Sequence, residues 1–198
     1  MAMDYTSTLF LVPLGQIKTY LSVDDTTDDD VIGFIAEATA QFIDSETNRN
    51  IIASDVTEYH DGDDTDAVMV NRYPINTAAA SMQVWVDPTG QFSGSQWQVP
   101  TSMIAIDSGA GMVFYVGGEF EEGRKNVKLS FNGGWTQADV PADLKRAFLK
   151  LIAIEYRLRS AKEEGKSSIT RDLVSFTFQD DIPSDVQRTI KRWRRPRS

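Results

Sequence analysis

The stretch GGWTQADVPADLKRAFLKLIAIEYRLR, residues 133–159, reads as the entry to a long helix at the centre of the fold. Leu144, Ala147, Phe148, Leu151, Ile152, Ile154 and Leu158 recur at spacings of three and four, so a helix gathers them on one broad apolar face. Asp139 can cap the start. Pro141 suits the first turn, where its missing N–H costs nothing. Lys162 near the end and Gly165 mark the stop.

Working outward, two helices precede it. Leu14, Ile17 and Leu21 follow Pro13 at helical spacing and predict a short first helix, over 14–21. Val31, Phe34, Ile35, Ala38, Phe42 and Ile43 predict a second, over 28–48, with these side chains as its buried face. Thr27 or Asp28 can cap it, and Asp28–Asp30 stand where the helix dipole favours negative charge. Between the second and third helices the signal changes. VTEYHDG, AVMVNRY, MQVWVD, MIAID, MVFYV and VKLSF are short β-branched or aromatic runs separated by turn formers, which predicts a meander of about six strands. DPTGQFSGSQW reads as an exposed hairpin or loop tip. Beyond Gly165, residues 169–178 read as an extended segment with alternating Leu173, Ser175, Phe176 and Phe178. IPSDVQRTIKRW then reads as a short helix capped by Ser184, with Val186, Ile190 and Trp193 on one side.

The resulting expectation is an α+β chain forming a single structural unit over 1–198. It has a helical core at 14–48 and 139–164, an inserted antiparallel β region at 55–132, and a C-terminal arm at 165–198. Its 198 residues are enough for a sizeable core.

Charge is unevenly distributed. The net charge is −9, from 20 basic and 29 acidic side chains. After Asp185 no acid remains, while Arg188, Lys191, Arg192, Arg194, Arg195 and Arg197 come next. Setting those six aside leaves 14 basic residues against 29 acids, a strongly anionic body with a cationic tail. Such a body is a poor general binder of nucleic acid, because phosphate attachment needs local positive potential. The absence of cysteine excludes disulfides and thiol chemistry. The start has an apolar Leu9–Leu14 stretch without a positive region before it, and no apolar run reaches the roughly 18 residues of a membrane span. The expectation is a soluble, intracellular protein.

Candidate chemistry fails on spacing. Counted from Asp61, a calcium loop of the EF-hand kind would need Gly at Asp66 and Glu at Arg72; counted from Asp24, it would need Gly at Asp29. The acids read instead as a helix start and a solvated turn. His60, the single histidine, beside Asp61, has neither a nucleophile motif nor further zinc ligands around it. In GQFSG, Gly90–Gly94, the serine is one place late for a nucleophile elbow. Gly109-Ala110-Gly111 lacks a third glycine, Phe114 standing in its place, and no Walker-type lysine comes after it; the run reads as a turn before a strand. Neither an enzyme nor a cofactor is expected.

Three readings of the tail remain open. Trp193 and its neighbouring cations suit docking on a partner protein, since Trp and Arg dominate interface hot spots. They also suit contact with DNA through phosphates and stacking, or a solvated basic end that complements its helix dipole.

Residues 133–159 resemble a recurring segment of the head-tail connector proteins of tailed phages, carried by Gly134, Trp135, Val140, Pro141, Leu144, Lys145 and Ala147. The opening, LVPLGQIKTYLSVDDTTDDDVIGFIAEATAQFIDSETNRNI, is similar to that family's N-terminal part, including Thr47, Asn48 and Arg49 at the end of the second helix. The longer β region resembles the larger adaptors, including those of gene transfer agents. The resemblance implies a structural virion protein in the neck, at the head-tail interface, assembled in the host cytoplasm. It implies a homo-oligomeric ring of about twelve copies, the portal protein as one partner and a stopper or tail terminator as the next, with DNA passing the channel without sequence-specific binding and no membrane involved. Within that picture the C-terminal arm is the expected partner-binding element, through Phe176, Phe178, Val186, Ile190, Lys191, Arg192, Trp193, Arg194 and Arg195. The competing classes are a DNA-binding accessory factor acting through the basic tail, and a carbohydrate-binding β module suggested by Trp85, Trp97 and Tyr115.

Overall fold

The structure is a computed structural model that describes residues 10–77, 82–164 and 182–195, with only the main chain described over 160–164. It falls into two compact units, a helical one running to Arg49 and resuming at Gln137, and a β unit over Asn50–Thr136. Among the described residues the fold class is α+β, with four α-helices, the last of them short and near the C-terminus, and two antiparallel sheets.

In the helical unit, α1 spans Leu14–Leu21, α2 Asp29–Thr47, α3 Ala142–Glu164 and α4 Ser184–Trp193. The first two end alike. Ser22 and Asn48 adopt left-handed backbone, at φ 60 and 52, and the next N–H of each reaches back to a carbonyl of the last turn, Val23 to Lys18 and Arg49 to Asp44. This closure satisfies carbonyls a helix end otherwise leaves open. Helix α3 is the hub, packing on α1, α2 and α4. Leu144, Ala147, Phe148, Leu151 and Ile152 are buried, as the spacing requires. The burial ends near Ala153, however: Ile154 is only partly covered and Leu158 is exposed. The helix begins at Ala142, with the Lys145 N–H donating to the Pro141 carbonyl, so Pro141 stands just ahead of the first turn.

Helix α2 departs from expectation in its rotation. It buries Ile32, Gly33, Ile35, Ala36, Thr39, Ala40, Ile43 and Thr47, whereas Phe34 is 67% exposed and Val31, Ala38 and Phe42 are half-buried. Two stripes satisfy the helical period here, roughly a third of a turn apart at 3.6 residues per turn. The one rich in Gly, Ala and Thr faces inward, since small side chains let neighbouring helices approach closely.

Among its described residues the β unit has seven strands in two sheets, where a single meander of about six was expected. These are β1 Ser54–Gly62, β2 Ala67–Met69, β3 Gln83–Val86, β4 Gln98–Val99, β5 Ile104–Asp107, β6 Met112–Tyr115 and β7 Gly123–Gly133. One sheet has the order β1-β7-β3-β4 and the other β2-β6-β5, all neighbours antiparallel. Strand β7 is central because it is the longest and alternates cleanly, with Val127, Leu129 and Phe131 facing a core shared with Val84, Val99, Val113 and Phe120.

Candidate docking surface

The C-terminal helix is where the sequence concentrates its candidate residues, and α4 is docked on α2 and α3 of its own unit. Val186 and Ile190 are buried, at 1% and 4% exposure. A ten-residue helix is too short to persist unsupported in water, so covering these two side chains is what keeps it helical. Their burial is within the chain's own helical unit, where α4 packs on α2 and α3. The sequence shows that α4 has an apolar face without showing whose surface meets it.

Polar contacts surround this apolar seam. The Trp193 indole N–H donates to Asp143 Oδ2 at 2.9 Å, and the Arg192 guanidinium approaches the same carboxylate at 3.8 Å. Lys150 donates to Asp185, holding that carboxyl below the usual range. Arg194 donates to the Glu46 carbonyl at 2.7 Å and to its carboxylate at 2.5 Å, and the Arg195 N–H donates to the Thr47 carbonyl at 2.9 Å. The α2 C-terminus, whose carbonyls concentrate negative potential, thus meets the cations that end the chain. Lys191 and Arg192 keep exposed side chains, Arg194 is half-exposed, and Phe176 and Phe178 lie outside the described residues.

Sequence reading misses one anchor of the unit. The Tyr156 hydroxyl donates to Asp28 Oδ2 at 2.6 Å, tying α3 to the residue before α2. That bond, together with burial and the nearby Asp25 carboxylate, pushes the Tyr156 phenol up to about 12. By its position Asp28 suits a helix cap; its side chain makes no capping bond and serves this phenol instead.

In the β unit the residues with chemical potential are taken up by backbone. Glu58 is 8% exposed and accepts N–H bonds from Asn71 at 2.7 Å and Arg72 at 2.9 Å, with His60 Nε2 at 2.8 Å. Burial pushes its carboxyl up, but the His60 bond and the two main-chain donors outweigh that and hold it below the usual range. The acidic turn after Asp61 is likewise internal in purpose. Asp61 accepts the Lys125 N–H, Asp64 the Glu122 N–H, and Asp63 the Thr65 hydroxyl. Gly111, at φ 70, closes the β5–β6 turn by donating to the Asp107 carbonyl, so Gly109–Gly111 is a turn before a strand. Among the described residues, no group of three or more His, Cys, Asp or Glu side chains is placed to hold a metal ion.

Of the aromatic residues that suggest a carbohydrate module, Trp85 and Tyr115 lie on sheet strands, whereas Trp97 ends a short 3-10 helix just before β4. Tyr59, Lys128 and Trp85 stand opposite one another on β1, β7 and β3, with the Lys128 ammonium 4.4 Å above the Trp85 ring, and Tyr115 lies 5.9 Å from Phe120 between centroids. Trp85 thus has a cation over one face.

The sequence that builds this arrangement, a helical unit interrupted by a β unit and closed by a docked terminal helix, matches a family over nearly its whole length. The head completion protein family aligns with residues 11–196. The chain belongs to that family. No curated protein matches it in sequence. Three similar solved structures cover 100% of this chain and 94% of their own. They are described as "Virion of native gene transfer agent (GTA) particle", at 17% identity and TM-score 0.62; "Neck of native GTA particle computed with C12 symmetry", at 17% and 0.60; and "Neck of empty GTA particle computed with C6 symmetry", at 16% and 0.59. At such identities the likeness is one of fold.

Proposed function

We propose that this head completion family protein is a structural component of the neck of a phage-like particle, joining the DNA-filled head to the tail or the next neck protein. The observation that carries the reading is the family match over residues 11–196, supported by a full-length fold likeness to chains of gene transfer agent necks. In this reading about twelve copies form a ring beneath the portal and continue the DNA channel toward a stopper or tail terminator. The net charge of −9 suits a channel that passes DNA without gripping it, since like charge repels phosphate.

The C-terminal arm is the element assigned to the portal or the next neck protein. Within α4, the buried Val186 and Ile190 set the helix in place and Trp193 fixes its end on Asp143. The exposed Lys191 and Arg192 then face outward beside Arg194 and Arg195, toward acidic groups of the partner. Phe176 and Phe178 complete the assignment by strand addition or groove filling.

An add-back experiment tests this. DNA-filled heads made without the protein are mixed with the purified chain, sedimented and imaged. Stoichiometric co-sedimentation with new density at the portal vertex is the expected result; no binding to portal-bearing heads refutes the role. Removing residues 183–198 should abolish portal binding. If binding survives that truncation, the assignment of the arm is wrong.

A further inference from the structure

Both faces of the β2-β6-β5 sheet are apolar. Val113 lies in the core, with Val68, Ile104, Ile106 and Tyr115 packed against it. Strand alternation sends their neighbours to the opposite side. There the register sets Met69, Met112 and Asp107 in one row and Ala67, Phe114 and Ala105 in the next. Val116, whose N–H donates to the Met103 carbonyl at 2.8 Å, adds a third row with Met103. Val116 is 58% exposed, Met69 46% and Met103 44%, and Ala105 is exposed as well. Met112 and Phe114 stand on the central strand, flanked on both sides, and are partly covered. An antiparallel sheet with one face on a core ordinarily turns polar side chains to water. Here Asp107 is the one charged member of the three rows, and three of the chain's six methionines gather beside it. Methionine adapts its shape to what it meets and recurs at binding surfaces.

Charge and size identify the occupant. Residues 63–69 and 101–122, which hold these strands, carry seven acidic and no basic side chains; Asp66, Asp107 and Glu119 are among the exposed ones. Two such faces meeting about a two-fold axis would set acid against acid. From Gln137 onward, by contrast, the chain carries nine acidic and fourteen basic side chains. Arg146, Arg157 and Arg188 are exposed there, and Leu158, 38% exposed, adds apolar surface beside Arg157. One chain thus carries both members of a complementary pair, so the next copy can cover the face in a head-to-tail contact that repeats until it closes. Three strands about 4.8 Å apart, each four residues long at about 3.4 Å per residue, present about 200 Å². A stable free pair needs about 800 Å² per partner, so this contact holds only together with others, as a ring provides.

We infer that the outer face of the β2-β6-β5 sheet, centred on Met69, Met103, Met112, Phe114 and Val116, receives the cationic α3–α4 half of the next copy. This rests on the proposed ring and names a contact that builds it. The methionines and Val116 supply the apolar area, and the acids around them select the cationic neighbour.

Two measurements on DNA-filled heads lacking the protein test this. In the first, full-length wild type and the double variant Met103→Ser with Val116→Ser are added over a range of concentrations, and copies bound per head and ring density are read. Both side chains lie outside the core, so circular dichroism and melting should match wild type. The variant should need about tenfold more protein, or greater, to fill the vertex. In the second, Val116→Cys supplies the single thiol of a cysteine-free chain and carries a benzophenone maleimide. Illumination of filled heads should give a chain–chain product joined to residues 137–164 or 182–198 of a second copy, and free protein at the same concentration should give none. Capture of a portal or downstream neck protein, or of a second copy's β unit, overturns the occupant. Normal filling by the double variant, or no chain–chain product, with a wild-type ring present, overturns the face while leaving the ring intact. Wild type bound to heads without a ring overturns the ring reading and this inference together.

Discussion

Replacing Ile190 with alanine measures how firmly α4 belongs to the helical body. Ile190 is 4% exposed, and truncating a buried isoleucine to alanine costs about 2–5 kcal/mol. A terminal helix can relax partly into the space, which favours the lower end, about 2–3 kcal/mol. At about 1.4 kcal/mol per factor of ten, the equilibrium for lifting α4 off α2 and α3 rises about 30- to 150-fold. Because the helix has ten residues and does not persist alone, lifting and unfolding are one event. Amide hydrogen exchange over residues 187–193 reads that event directly, and those amides should speed up by the same factor. Amides at the centre of α3, around Leu151, should change far less. Trp193 emission should shift as its indole leaves Asp143. An increase below about threefold, or equal acceleration in α3, would refute the view that Val186 and Ile190 hold a separable terminal helix. Acid should have a related, smaller effect in wild type. The Asp185 carboxyl, held below its usual range by Lys150, supports docking above the ordinary carboxylate range and loses that support as pH falls through the lowered value.

Other substitutions separate the remaining polar anchors. Tyr156→Phe should lower stability of the helical unit by about 1 kcal/mol, the net worth of one hydrogen bond, in denaturant unfolding. Because the phenol is raised from 10.0 to about 12, its contribution is fully present below 10 and disappears as pH rises toward 12; ultraviolet titration of the variant should lose the phenolate component near pH 12. Glu58→Gln should destabilise the β unit by about 1–3 kcal/mol at neutral pH, since a charged acceptor for two main-chain N–H groups is lost. With the folded carboxyl depressed, that difference should shrink as pH falls below the carboxylate range, and a gap constant with pH would contradict the assignment. Asn126→Ala should cost about 2–3 kcal/mol in thermal melts, because the 1% exposed amide accepts the Gly62 N–H at 2.9 Å and donates to the Glu121 carbonyl at 2.7 Å beside the β1–β7 irregularity.

The existence and kind of nearly every element is legible in the chain, because periods of two and of three to four are local properties. Spacing predicts helices over 14–21 and 28–48, and they stand at Leu14–Leu21 and Asp29–Thr47. The roles of the polar residues are less legible. Glu58, Asp61, Asp64 and Asn126 serve main-chain donors up to 64 positions away, and nothing in their immediate neighbourhood announces it. His60 carries no chemical signal in sequence, and in the fold it supports the Glu58 carboxylate.

By itself the sequence determined that the chain would build helices around a strand-rich middle, that its last helix would have one apolar side, and that the basic residues would gather at its end. Tertiary structure alone decided three further matters. It selected which of two equally periodic stripes of α2 is buried, since period fixes that a stripe exists but close approach of α3 chooses the small-residue one. It placed β7 between β1 and β3, because pairing between residues 41 to 79 positions apart is set by the shared core rather than by adjacent residues. And it turned the apolar side of α4 onto its own body, since an amphipathic helix specifies that it must be covered, and only the packed bundle supplies the cover.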